Sequence, residues 1–149
     1  VSTGVVVDAS ACGAWVLRDE ETAGSRRLLE CVRIGQLRLV VSDLWWYEIL
    51  SALRMAVARA RIQESEARRG LAVLAAIPKD VFTAEAQGQE GILSVAFDTG
   101  LSAYDATHLA LARSRGLDLV SANTHLLRLR PRFPCIHSVE DFCAQLDGA

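Results

Sequence analysis

The chain has 149 residues, 51% of them apolar, and a net charge of −2. That length suits one domain with a substantial core, and that apolar share excludes a disordered chain. The charge balance lacks the positive excess that marks many nucleic-acid binders, although a local basic surface stays open.

Taken in chain order, GVVVDA is a short apolar run ending at a polar residue, and SACGAWVL follows with helical spacing. This predicts a buried strand entering a helix, with Asp8 at the strand's C-terminal end. Residues 21–34 carry Leu28, Leu29 and Val32 among charges at helical period, and LRLVVS at 37–42 is a second buried strand. Ser42 or Asp43 can cap the helix that runs through LWWYEILSALRMAVARARI, which places Glu48 in its second turn. Its apolar face draws on Leu44, Ile49, Leu53, Ala56 and Val57, while the successive Trp45, Trp46 and Tyr47 cannot all face one core.

A further amphipathic helix spans 64–76, Pro78 punctuates, and DVFT is a weak strand. Residues 84–97 and 103–115 are helical and separated at Gly100; LDLVSA is a strand, THLLRL a short helix, PCIHS a last strand and VEDFCAQL a closing helix. Strands alternating with helices imply a single three-layer α/β domain over residues 1–149, with a mainly parallel sheet covered on both faces.

Cys12, Cys31, Cys135 and Cys143 lack CxxC spacing and read as free thiols rather than a disulfide frame or zinc site. Every basic residue except Lys79 is an arginine; most of these read as solvated helix faces. The apolar stretches are broken well short of the roughly 18 residues a membrane span needs, and VSTG has neither the basic nor the apolar part of a signal peptide, so a cytoplasmic location without membrane contact is expected.

Sites in parallel sheets form beyond the carboxyl ends of the strands. Asp8 and Asn123 stand at such ends, Asp105 in the first turn of a helix, and Glu48 reaches the same rim. Each has a plainer reading: Asp8 as a helix cap, Glu48 as a solvated helix residue, Asp105 as an acid favoured by a helix dipole. If the sheet gathers them, two carboxylates a few ångströms apart repel by about 1 kcal/mol in water and about 4 at intermediate dielectric, so the group calls for protons or cations. Mg²⁺ or Mn²⁺, which prefer oxygen ligands, meets that demand and can serve phosphodiester hydrolysis. His108 lies one turn after Asp105 and reads as a packing or surface histidine rather than a general base; His125 and His137 read as structural or exposed.

VVVDASA, Glu48 in the helix after LVVSDL, LSAYDATHLALA and LVSANTHL occur in an order and spacing that resembles the PIN-domain ribonucleases, and among them the VapC-like toxins of bacterial toxin-antitoxin systems. The resemblance covers nearly the whole chain. It implies a Mg²⁺-dependent endoribonuclease acting on RNA, with Asp8, Glu48 and Asp105 as metal-binding acids and Ser10 and Ser121 as hydroxyls near the metal. It also implies a homodimer neutralised by a small antitoxin protein. Two positions depart from the family pattern: Asn123 stands where Asp is usual, which leaves it a weaker ligand, and Ser51 where Asn often follows the glutamate.

Two rival readings remain. A receiver or phosphatase domain would need a second acid beside Asp8 and a lysine at a strand end, whereas Lys79 precedes a strand. A degenerate PIN-like domain would hold RNA or protein without cutting.

Overall fold

Val5, Val6 and Val7 are all fully buried, which an alternating strand allows only where both faces of its sheet are covered. They belong to β1 (Thr3–Val7), the middle strand of five in the computed structural model, which describes residues 3–149. β2 (Leu37–Ser42) and β3 (Lys79–Phe82) lie to one side, β4 (Asp118–Val120) and β5 (Ile136–His137) to the other. The order is β3-β2-β1-β4-β5 and every neighbouring pair is parallel. Val5 stands opposite Leu39 on one side and Asp118 on the other.

The pleat sorts the core into two halves. Val5, Val7, Leu39 and Val41 face Leu28, Trp45, Ile49, Leu74 and Phe142. These come from α2 (Ala23–Arg33), α3 (Leu44–Ala58), α4 (Glu64–Ala76) and α9 (Val139–Asp147), with α1 (Ala9–Cys12) adding Cys12. Val6, Val40 and Leu119 face Leu109, Leu111 and Leu126 from α7 (Ala103–Arg115) and α8 (Thr124–Leu127). Outside α7 lie α5 (Ala84–Gln87) and α6 (Gln89–Thr99). The result is a three-layer α/β/α arrangement.

β2, α4 and α7 have the bounds that periodicity predicts; the others differ at their ends, and three segments differ in kind or by a full turn. The helix expected over SACGAWVL is a single turn, α1, continuing as a 3-10 turn from Gly13 to Trp15. The helix expected over 84–97 breaks at Gly88, whose φ of 95° lies outside helical space. α3 stops at Ala58 rather than running on through Ile62, because Arg61 N–H donates to the Ala56 carbonyl and Ala60 N–H to that of Val57. That pair of bonds closes a helix end around a left-handed residue, here Ala60 at φ 58°. At the start of α3 the cap is Ser42, whose hydroxyl accepts from Leu44 N–H at 3.1 Å; Asp43 makes no such bond.

Of the three adjacent aromatics, Trp45 is fully buried and Tyr47 is 69% exposed. Lys79 opens β3, and its ammonium donates to the Leu74 and Ile77 carbonyls at the end of α4, so it is spent on a helix terminus rather than on strand-end chemistry. The four cysteines are free, with Cys12, Cys31 and Cys143 buried. Among the described residues, no helix is long and apolar enough to cross a membrane.

Candidate active site

The order of strands reverses between β1 and β4, so the residues just past these two strands flank the crevice where open parallel sheets place their ligands. Asp8 follows β1 and is 1% exposed. Its Oδ1 accepts from the Ser10 hydroxyl at 2.6 Å and from Ala11 N–H at 3.2 Å, while Oδ2 accepts from the Ser121 hydroxyl at 2.7 Å. Each hydroxyl is oriented in turn by the loop after β4: Ser10 Oγ accepts from Ala122 N–H and Ser121 Oγ from Asn123 N–H, both at 2.9 Å. Asp8 therefore caps α1 and is also clamped across the switch in strand order. Burial pushes its carboxyl above the usual carboxylate range, against the charge of His108 and the two hydroxyl bonds, which act to lower it.

Glu48, in the second turn of α3, keeps about a third of its side chain exposed. Its Oε1 lies 2.5 Å from Nε2 of His108, a residue of α7 with no exposure at all. Burial acts to lower the His108 pKa, but the Glu48 hydrogen bond and the charges of Glu48, Asp8 and Asp105 outweigh it and hold the ring above the usual histidine value. The packing position that the sequence suggests for His108 holds, since it is fully buried in α7, and the structure adds a bond to one of the acids. The available signal was its spacing, three residues after Asp105 and flanked by the apolar LALA, since a fully buried imidazole requires a polar partner.

Asp105 is partly exposed in the first turn of α7, where its N–H bonds to the Ser102 hydroxyl at 3.2 Å. Its Oδ1 accepts from the Asn123 amide at 3.0 Å. The Asn123 carbonyl oxygen is engaged elsewhere, accepting from His125 N–H at 2.9 Å as the cap of α8. Asn123 thus presents a neutral donor to Asp105, and its oxygen would have to leave the α8 cap to ligate an ion.

The predicted residues fall into linked groups: Asp8 with Ser10 and Ser121, Ser121 with the backbone of Asn123, Asn123 with Asp105, and Glu48 with His108. Carboxylate oxygens with adjoining hydroxyls are hard donors that suit Mg²⁺ or Mn²⁺, and a buried carboxylate held above its usual range marks a place short of positive charge. By donor chemistry the residues fit a divalent ion. Among the described residues, however, no three His, Cys, Asp or Glu side chains stand close enough to form a ready ligand set; Glu48 and Asp105 each spend an oxygen on a protein donor.

A cleft of about 590 Å³ leads away from Ser10 and Glu48 over Ala9, Ala11 and Ala14. Arg59 and Arg61 line it, but Arg61 is paired with Asp19 and Glu20. His125 is exposed and His137 bonds to Asp118 at 2.9 Å, so neither joins the acids.

Comparison with known proteins gives a consistent picture. A family model described as PIN domain matches residues 5–130. The crystal structure of PAE2754 from Pyrobaculum aerophilum superposes with a TM-score of 0.74 at 25% identity, covering 100% of both chains. VapBC2 from Rickettsia felis, solved with a DNA fragment from its promoter, gives 0.66 at 11% identity over 91% of this chain and 98% of the other. A toxin-antitoxin complex from Klebsiella pneumoniae gives 0.59 at 17% identity over 91% and 97%. No curated protein is detectably similar in sequence.

Proposed function

Because the chain belongs to the PIN-domain family, whose members are generally nucleases, we propose that it is a Mg²⁺-dependent endoribonuclease, the toxin of a toxin-antitoxin pair. The observation that carries this reading is Asp8: a buried carboxylate at the switch in strand order, gripped by two hydroxyls, with the charges of Glu48 and His108 acting on it. Asp8, Glu48 and Asp105 would hold the ion, with Asn123 a weaker contributor and Ser10 and Ser121 fixing Asp8. Mn²⁺ is an alternative to Mg²⁺.

When bound, such an ion supplies a Lewis acid for the phosphodiester and makes water a better nucleophile. The chain's own residues do the rest. Ser10 and Ser121 donate to opposite oxygens of Asp8, which fixes its carboxylate plane and spares it a search among rotamers. Glu48 lines the cleft with Ser10, which would bring an RNA backbone lying there to the acids. Arg59, exposed on the cleft wall, offers a guanidinium to phosphate.

The partners in this reading are an RNA substrate, a second copy of the chain and a small antitoxin. VapBC2 and the Klebsiella complex, similar in fold, support the antitoxin. Exposed Tyr47, Leu50 and Met55 on α3 support a protein contact there. The amide at Asn123, in place of an acid, favours the second reading, a PIN-like domain that binds RNA or protein without cutting. Incubating purified protein with total RNA and Mg²⁺, with and without chelator, separates the two: the enzyme cuts in a chelator-sensitive way, and the binding module leaves RNA intact.

A further inference from the structure

Among the described residues His108 is the one fully buried histidine, and it joins the two helices that carry Glu48 and Asp105. The geometry assigns it a positioning role: its Nε2–H holds one oxygen of Glu48, so that the other is kept for the cation. The inference rests on the metal-dependent reading above.

A carboxylate can only accept, so at 2.5 Å from Oε1 the hydrogen is carried by Nε2. This donor direction follows whatever the other nitrogen carries. Nδ1 is buried with no hydrogen-bond partner among the described residues. A ring placed only for packing would gain by turning a polar atom toward a backbone group; this one satisfies the nitrogen that faces Glu48 and leaves the other unmet.

Glu48 has freedom to lose. It is partly exposed, its Oε2 takes no hydrogen bond from the described residues, and a glutamate that leaves solvent for one geometry gives up side-chain entropy. A donor fixed in the core of α7 meets that cost before any ion arrives. Donors behind a metal-ligating side chain usually contribute about 10- to 100-fold in metal affinity or activity. The hold spans sixty residues of sequence, so it exists only once α3 and α7 have packed on their common end of the sheet.

Three substitutions separate positioning from packing. His108→Gln keeps an N–H near the place of Nε2, His108→Asn is polar but too short to reach Glu48, and His108→Leu fills the space without a donor. Mn²⁺ binding is measured calorimetrically on folded proteins without RNA, with thermal midpoints recorded alongside. His108→Leu and His108→Asn are expected to bind Mn²⁺ about 10- to 100-fold more weakly, and His108→Gln within about threefold of the parent chain. In a Glu48→Gln background the loss caused by His108→Leu should disappear, because the coupling is between these two side chains.

If His108→Leu binds Mn²⁺ as tightly as the parent, or if its loss persists unchanged in the Glu48→Gln background, the positioning role is overturned while the metal reading stands. If the parent chain binds no Mn²⁺, the metal reading fails and this inference fails with it. Should His108→Leu not fold, the contrast between His108→Gln and His108→Asn carries the same decision: equal affinities overturn the role.

Discussion

Asn123 is the residue whose chemistry most separates this site from one with a fourth acid. Its amide hydrogen bonds to Asp105 and so partly satisfies, with a neutral donor, an oxygen otherwise available to an ion. Asn123→Asp replaces that donor with a charge, creating a repulsion in the empty site that a divalent ion relieves. We expect the variant to need less Mg²⁺ for half-maximal cleavage; a Mg²⁺ titration showing an unchanged or higher requirement, with folding verified, would remove residue 123 from the metal site. At this scale, the place of Asp8 after a strand and of Glu48 and Asp105 in opening helix turns was legible in sequence, while their proposed role as metal-binding acids comes from the PIN-like motifs around them. The partners were not legible. Whether Asn123 turns its oxygen or its nitrogen toward Asp105, and whether His108 meets Glu48, depends on how α3, α7 and the loop after β4 pack, which no local pattern encodes.

Among the elements, the end of α3 has the clearest energetic signature. Ala60 occupies left-handed space, where a Cβ costs roughly 1–2 kcal/mol, and glycine would return part of that gain as extra unfolded-state entropy. Ala60→Gly should therefore stabilise the chain by about 0.5–1 kcal/mol in urea denaturation; a loss of stability would contradict the assigned helix end. The next residue, Arg61, ties that end to Asp19 and Glu20. Its hydrogen bonds hold the Asp19 carboxyl below its usual range, so the stability this contributes is present above the usual carboxylate value and is lost as pH falls through the depressed one. Arg61→Ala should be slightly less stable than the parent at pH 7, and the difference should vanish in strong acid; a gap that widens on acidification would refute the linkage. Local pattern located β2, α4 and α7: β2 is a short apolar run buried on both faces, α4 buries one side, and α7 lies between a serine cap and a left-handed glycine, Ser102 and Gly116. It overran the end of α3, which closes on hydrogen bonds around an alanine, and it missed the break at Gly88, whose φ divides the segment between α5 and α6.

For the whole molecule, alternation of strands and helices foretold a parallel sheet with two helical layers, and the structure has one. The strand order, which puts Asp8 beside Ser121, comes from how the connections pack rather than from any segment. The surface exposes large apolar side chains that the proposed protein contacts would cover: Tyr47 and Leu50 on α3, and Leu93, Phe97 and Tyr104 on α6 and α7. A homodimer covering part of this surface should sediment with a mass that rises with concentration toward twice the chain's, and a strict monomer at high concentration would exclude it. The central proposal is that the acids form one metal site for cutting RNA. Its most direct test is cleavage of total RNA by the parent chain and by folded Asp105→Asn protein across a Mg²⁺ series ending in excess chelator. The account predicts Mg²⁺-dependent, chelator-reversible cleavage by the parent and at least about a 100-fold loss in the variant; near-normal cleavage by Asp105→Asn, or cutting that survives chelation, would contradict it.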